Sequence, residues 1–174
     1  MKKEGDSSKE QSLVIIRDFE QALSSGYAQS RELLATFRLT IQEANLQLAL
    51  EQVIDSLRLQ TTMQMNVNCQ LPSQSLNPQQ LVHVLQIVRE ATTNAIKHSQ
   101  GTAIEISAKI NAEGEYEILV EDNGIGIQDL EEPEGHYGLN IMTERSRQLN
   151  AEFNIIRREQ GGTQVKITLP HALC

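Results

Sequence analysis

Four polar side chains in the run 89–98 have a spacing that suits metal and phosphate chemistry. Glu90, Asn94, Lys97 and His98 stand at i, i+4, i+7 and i+8, which aligns them along one face of a helix. A carboxylate and a carboxamide one turn apart offer hard oxygen ligands for Mg²⁺, and the two bases beyond them can meet phosphate oxygens. Taken alone, the run is better explained as the solvated face of an amphipathic helix.

A second segment, 120–127, ends a predicted strand in acidic residues and continues with two spaced glycines. Asp122 can accept a hydrogen bond from an exocyclic amine, and Gly124 and Gly126 allow a close backbone approach or a positive φ. A simple Asn-Gly turn is the alternative. The segment lacks the GxGxxG of a dinucleotide-binding fold, the GxxxxGK[ST] of a P-loop and the acidic spacing of an EF-hand.

Two further glycine segments adjoin predicted elements. Gly135 and Gly138 precede a helix that is predicted from Leu139, and the free N–H groups of its first turn would form an anion site. A flexible loop is the alternative there. Gly161-Gly162-Thr163 enters the last predicted strand, where a tight hairpin is the simpler explanation.

The elements that must position these segments follow from hydrophobic periodicity and turn residues. The pattern predicts an amphipathic helical segment over 13–41, helices over 45–60, 78–98 and 139–149, and strands over 65–71, 103–110, 115–120, 153–156 and 165–169. Helices packed on one face of a mixed sheet, an α+β two-layer sandwich, are the natural arrangement of this order. The apolar face of the first helical segment, 13–41, needs a partner surface. This could be another helix of a coiled coil or bundle, or the rest of the chain.

Composition narrows the class of partner. The formal net charge of −8 argues against a nucleic-acid binder, which normally presents a basic face, but local amides and cations can still hold one ATP. Cys69 and Cys174 have no metal spacing and predict two free thiols. No apolar run is long enough to span a bilayer, and no apolar stretch follows the N-terminal lysines as in a signal peptide.

Together, in this order and at these separations, the four segments resemble the nucleotide-binding boxes of histidine-kinase ATPase domains. Residues 90–98 resemble the N box, 122–126 the G1 box, Gly138 and its neighbours the G2 box, and 161–163 the terminal Gly-Gly-Thr. This is the Bergerat fold that gyrase, Hsp90, histidine kinases and MutL share. The phrases Arg-Glu-Ala-x-x-Asn-Ala-x-Lys-His and His-Tyr-Gly-Leu are similar to those of the subfamily that includes nitrate/nitrite sensors.

The resemblance implies a domain organisation. Residues 45–174 would form the ATPase catalytic domain, 11–41 part of the second helix of a dimerisation hairpin, and 1–10 a disordered N-terminus. The short lid between Gly126 and Gly138 lacks the Phe-rich box of many histidine kinases.

The resemblance also implies a role for each site residue, with ATP and Mg²⁺ as cofactors. Asp122, supported by Thr163, would bind the adenine amino group, while Gly124 and Gly126 let the chain pass close to the nucleotide. Asn94 would bind Mg²⁺, and Glu90 would act catalytically by polarising the attacking group. The residues expected to meet the phosphates are Lys97, His98, Tyr137, Gly138 and Leu139.

A histidine kinase also needs a phosphoacceptor histidine, usually followed by an acidic residue, and none of the four histidines has that context. These are His83, His98, His136 and His171. We therefore expect a fragment that begins after the acceptor helix, binds ATP and cannot autophosphorylate alone.

For the full-length protein, the resemblance implies a homodimer in the inner membrane that exposes this part to the cytoplasm. It would signal nitrate or nitrite through a two-component phosphorelay to the receiver domain of a NarL-like response regulator, and it would bind no nucleic acid. Two alternatives remain at this point: an anti-sigma-factor serine kinase of the same fold, and a non-catalytic dimerisation module with a vestigial nucleotide pocket.

Overall fold

The computed structural model describes residues 45–127 and 137–170. Within them lie three helices and five strands, which we number in chain order. They are α1 (Leu46–Arg58), β1 (Gln64–Cys69), α2 (Pro78–His98), β2 (Ala103–Ile110), β3 (Tyr116–Asp122), α3 (Tyr137–Gln148), β4 (Glu152–Arg157) and β5 (Thr163–Leu169). The predicted segments 1–10 and 11–41 lie outside the described residues, as do 128–136 and 171–174.

The five strands form one mixed sheet in the order β1-β2-β3-β5-β4. β1 runs parallel to β2, and the other neighbouring pairs are antiparallel. Alternate residues of β3, Tyr116, Ile118 and Val120, are buried. Their neighbours across the sheet on the same face are buried as well, except Ile110 at the end of β2. The opposite face of the central strands is mainly polar, so the helices pack on one side only. The predicted α+β two-layer sandwich is confirmed.

Local sequence signals explain where the helices begin. Asn45 caps α1 by accepting a hydrogen bond from the Leu48 N–H. Asn77 and Gln80 form a reciprocal capping box at the start of α2, with Pro78 in its first turn, a position where the missing N–H costs no helical hydrogen bond. These caps fix the start of the helix that carries the first candidate segment.

The third strand is longer than predicted, since β3 continues two residues beyond Val120. Glu121 and Asp122 look unlike strand residues, yet they pair with Glu105 and Ile104 of β2. Pairing with β2, and for Glu121 also with Gln164 of β5, overrides their weak intrinsic preference for strands. As a result, Asp122 is the last residue of a rigid strand and does not lie in a loop.

Aliphatic side chains build the core between the layers, as the scarcity of aromatic residues requires. Leu81, Val84 and Val88 of α2 are almost fully buried against the sheet, whose central positions include Ile106 and Ile118. The long helix is thereby fixed along its length over the strands. Within 45–127 and 137–170, none of the helices has the length and apolar character needed to cross a membrane.

Candidate functional site

One end of the site is built from α2 and the first turn of α3. Glu90 and Asn94 lie one turn apart on α2 and are half-buried. Gly138 lies directly against both: a Cβ on it would overlap the Glu90 carboxylate oxygen Oε1 and lie 3.2 Å from Asn94 Nδ2. The structure therefore brings the predicted G2 glycine onto the predicted metal and catalytic residues. We call Glu90, Asn94 and Gly138 the phosphate end.

The oxygens of this end are available for a ligand. The side chains of Glu90 and Asn94 make no hydrogen bond or ion pair with any residue in 45–127 or 137–170. No cluster of three or more His, Cys, Asp or Glu residues that could hold a metal exists in the described part of the chain. A carboxylate and a carboxamide oxygen nonetheless fit Mg²⁺, which is commonly held by one or two protein oxygens together with phosphates and waters.

Lys97 and His98 occupy the last turn of the same helix and are exposed. Neither side chain makes a hydrogen bond or ion pair with another described residue, so both are free to bind an anion. The two side chains continue the polar face that starts at Glu90, as the spacing predicted. Their assignment to phosphate binding stays a prediction.

The other end of the site is centred on Asp122, which is 4% exposed. Its Oδ1 accepts a hydrogen bond of 2.9 Å from the Gly124 N–H. Its Oδ2 has no donor among the described residues. Although the residue as a whole is buried, this oxygen is not one of the fully enclosed atoms that lack a partner, so it is suited to accept a hydrogen bond from a ligand.

Gly162 lies directly against Asp122, and Gly126 lies against Gly162 in turn. A Cβ on Gly162 would overlap the Asp122 carbonyl oxygen and lie 3.0 Å from its Oδ1. Gly126 has φ +78°, a conformation that favours glycine, and a Cβ there would lie 2.9 Å from the Gly162 oxygen. A tight hairpin joins β4 and β5, as the simpler explanation of the Gly-Gly-Thr segment predicted. The same hairpin forms the wall of the site beside Asp122.

Thr163 is the first residue of β5 and stands beside this carboxylate. Glu121 of β3 pairs with Gln164 of β5. When this antiparallel pairing is continued by one residue, Thr163 lies opposite Asp122. Both belong to the alternating set that faces the helices. We call Asp122, Thr163, Gly126 and Gly162 the base end, after the role that we propose below.

Ser99 joins the two ends, and sequence reasoning gave it no role. It caps the C-terminus of α2, and its carbonyl oxygen accepts a hydrogen bond of 2.8 Å from Ile125 N–H. A Cβ on Gly124 would overlap that same carbonyl. The helix that carries Glu90 is thus fastened directly to the loop that follows Asp122. At Gly124 the close approach is to the protein's own backbone, which is sufficient reason for glycine there.

Asn123 strengthens this junction. Its Oδ1 accepts hydrogen bonds from the N–H groups of Thr102 (2.8 Å) and Ala103 (2.9 Å). Its Nδ2 donates to the Thr102 hydroxyl at 3.0 Å. The residue was visible in the sequence as the Asn of an Asn-Gly turn, but its partners lie about twenty positions away and could not be read from the pattern.

Arg158 is a second residue that sequence reasoning missed. One guanidinium nitrogen donates to the Asp122 carbonyl at 2.8 Å, and Nε lies 3.3 Å from Glu121 Oε1. The same carboxylate oxygen accepts a hydrogen bond from Gln164 Nε2. This network lies on the sheet face opposite the helices and holds the end of β3 in place. An adjacent pair of arginines was the only sequence signal.

The remaining predicted residues are described only in part. Tyr137 is the first residue of α3, and nothing beyond its backbone is described. Leu139 is half-buried and packs against the core. His83 is buried in α2, where burial and then the Arg145 charge lower the pKa of its imidazole. His83 is therefore not presented for phosphorylation, and His136 and His171 lie outside the described residues.

Known proteins are similar to this chain in sequence and in fold. A family model described as histidine kinase-, DNA gyrase B- and HSP90-like ATPase matches residues 79–173. The chain is 86% identical over 173 residues to a sensor protein NarQ homolog of Haemophilus influenzae, covering 99% of this chain and 30% of that protein. It is 46% identical to the nitrate/nitrite sensor protein NarQ of Escherichia coli, covering 91% and 28%. The chain thus spans under a third of the length of these relatives.

Solved structures have the same fold at much lower sequence identity. The histidine kinase domain of a blue-light activated kinase of Erythrobacter litoralis superposes with a TM-score of 0.63 at 22% identity, covering 74% of this chain and 62% of that chain. The histidine kinase AdeS of Acinetobacter baumannii gives a TM-score of 0.64 at 15% identity, covering 88% and 84%.

Proposed function

Because the chain belongs to the family of histidine kinase-, DNA gyrase B- and HSP90-like ATPases, we propose that it is the ATP-binding catalytic domain of a nitrate/nitrite sensor histidine kinase. The observation that supports this most directly is the seating of Gly138 on Glu90 and Asn94. It brings a helix N-terminus to two uncommitted oxygen ligands. The ATPase domain would comprise residues 45–174.

One ATP would lie between the two ends of the site. Asp122 Oδ2 would accept a hydrogen bond from the adenine amino group, with Thr163 alongside it. Gly124 and Gly126 would keep the loop compact where it passes the nucleotide. At the other end, the N–H groups of the first turn of α3, around Tyr137, Gly138 and Leu139, would bind phosphate oxygens because they have no helical acceptors. Lys97 and His98 would add positive charge.

The residues of the phosphate end suit a magnesium ion that accompanies the nucleotide. Asn94 would hold the ion, which when bound supplies positive charge against the phosphate oxygens. Glu90 would orient and polarise the attacking group near the γ-phosphate, as a carboxylate within hydrogen-bond reach can do. Its lack of a partner among the described residues leaves it free for that task.

The phosphoryl acceptor would be a histidine outside this chain, and the next acceptor would be the receiver domain of a NarL-like response regulator. The relatives named as nitrate/nitrite sensors support this placement, and so does the burial of His83. The full-length protein would act as an inner-membrane homodimer, with this part in the cytoplasm. An anti-sigma-factor serine kinase is not favoured by the relatives, and a vestigial pocket is disfavoured by uncommitted oxygens at both ends.

Calorimetric titration with Mg-ATP and Mg-ADP tests the proposal. The wild type should bind both nucleotides, and Asp122→Asn should weaken binding at least about tenfold, because the amide presents a donor to the adenine amino group or loses the bond to Gly124. Asp55→Asn, on the exposed side of α1 where Asp55 pairs with Arg58, is the matched control and should bind as the wild type does. A folded wild type that binds neither nucleotide would refute the proposal.

A further inference from the structure

Arg157 stands in line with the two residues of the base end. It is the last residue of β4 and pairs with Thr163 of β5, which in turn lies opposite Asp122 at the end of β3 by extension of the register. Neighbouring strands are about 4.8 Å apart, so the three residues form a row across the adjacent ends of these three strands. Phe153 and Ile155 pack against the core, so by alternation Arg157 shares their helix-side face.

The Arg157 side chain crosses back along this row towards Gly126. A Cβ on Gly126 would lie 2.9 Å from Arg157 Cγ and 3.2 Å from its Nε. The arginine stem therefore rests on the glycine whose φ is +78°, beside the Gly162 carbonyl. This places the start of the guanidinium group at the outer rim of the base end, beyond Thr163.

The guanidinium group of Arg157 is uncommitted. It is exposed and makes no hydrogen bond or ion pair within residues 45–127 and 137–170. The next residue, Arg158, differs on every count: it points to the opposite face of the sheet, pairs with Glu121 and donates to the Asp122 carbonyl. Of these two arginines, Arg158 has a structural role and Arg157 is free to meet a ligand.

We propose that Arg157 binds the nucleobase by laying its planar guanidinium against the purine ring held at Asp122. This rests on the proposed function, since it concerns the same ATP site. A delocalised planar cation stacks on an aromatic ring, and a position beyond Thr163 is at the base end of the site. The phosphate end belongs to α2 and α3, on the other side of Ser99. Arg157 therefore contributes to base affinity and does not bind the phosphates.

Affinity measurements with Mg-ATP and Mg-ADP on Arg157→Ala and Arg157→Lys test this role. Stacking on an exposed ring predicts about a fivefold loss for Arg157→Ala, equal for the two nucleotides because they carry the same base. Arg157→Lys should recover little, since an ammonium group cannot stack as a plane. Arg147→Ala, on the exposed side of α3 near its C-terminus, is the matched control and should bind as the wild type does.

Two results would overturn the proposal. Wild-type affinity in Arg157→Ala would show that the guanidinium makes no contact with the nucleotide. A larger loss for ATP than for ADP, recovered by Arg157→Lys, would show a phosphate contact. Asp122→Asn is measured in parallel: if it abolishes binding while Arg157→Ala matches Arg147→Ala, the ATP site stands and only the role of Arg157 is wrong. If the folded wild type binds no nucleotide, the proposed function itself has failed.

Discussion

A methyl group on the α-carbon of Gly138 would overlap the carboxylate oxygen Oε1 of Glu90. These two residues come from different helices, 48 positions apart in the sequence, and their contact sets the distance between the N-terminus of α3 and the polar face of α2. Whatever binds between them meets a donor-rich helix end on one side and a carboxylate on the other.

This contact predicts that Gly138→Ala changes ligand binding more than folding. In a helix, alanine is normally more stabilising than glycine by about 1 kcal/mol. Here the added methyl group must displace the far end of the flexible Glu90 side chain, which costs little stability, so we expect the free energy of unfolding to stay within about 1 kcal/mol of the wild type while Mg-ATP binding weakens. Urea unfolding and calorimetry on the same variant measure both. Unchanged ATP affinity would show that the position of the Glu90 carboxylate beside Gly138 does not matter for nucleotide binding.

Asn94 should make nucleotide affinity depend on magnesium. In the wild type, chelation of the metal with EDTA is expected to weaken ATP binding about tenfold or more, because the phosphate charge then has no divalent partner. Asn94→Ala should bind ATP weakly with or without the metal. Asn66→Ala, on the outer face of β1, is the matched control and should keep the wild-type response. An Asn94→Ala variant that still gains the full benefit of Mg²⁺ would remove Asn94 from the metal site.

Asn123 should stabilise the base end without touching the nucleotide. Asn123→Ala leaves the Thr102 and Ala103 N–H groups without their acceptor, which costs about 0.5–1.5 kcal/mol because these hydrogen bonds are exposed to solvent. Denaturant unfolding measures this cost. Asn123→Asp retains an acceptor oxygen and should recover most of the stability. Equal stability of Asn123→Ala and the wild type would mean that the junction between β2 and the loop after Asp122 is not held by this side chain.

His83 should make folding stability fall as the solution becomes acidic. Burial and the nearby Arg145 charge lower its pKa in the folded state below the unfolded value of about 6.5. At a pH below the unfolded-state pKa, His83 binds a proton in the unfolded chain but not in the folded chain. The free energy of unfolding therefore decreases as pH falls towards the folded-state pKa. Urea unfolding at several pH values between 7.5 and 5 should show a smaller decrease for His83→Leu than for the wild type. Equal decreases would contradict the assignment.

Local signals in the sequence were sufficient for most of the fold. Asn45, Asn77 and Pro78 mark helix starts through contacts within a few residues, and alternation predicts the strands because one face of each is buried. Acidic residues were expected at the end of the third strand, but its predicted bound at residue 120 was two residues short, since the pairing of Asp122 with Ile104 depends on a neighbouring strand. The spacing of Glu90 and Asn94 was informative because helix geometry alone sets it.

What could not be predicted depends on contacts between distant positions. The hydrogen bonds of Asn123 to Thr102 and of Arg158 to the Asp122 carbonyl join residues 21 and 36 positions apart. No periodicity carries that information. The glycines illustrate the same limit: the sequence indicated a close approach at Gly124, but only the structure gives the Ser99 carbonyl as the group approached.

The central claim is that one nucleotide occupies both ends of the site at once. Amide chemical-shift mapping by NMR during titration of the isotope-labelled chain with Mg-ATP measures this most directly, with adenosine as the truncated ligand. We predict that Mg-ATP shifts the amides of Asp122, Gly126 and Gly162 together with those of Asn94 and Gly138, and that adenosine shifts only the first group. Shifts confined to one end with Mg-ATP, or equal patterns for the two ligands, would contradict the account.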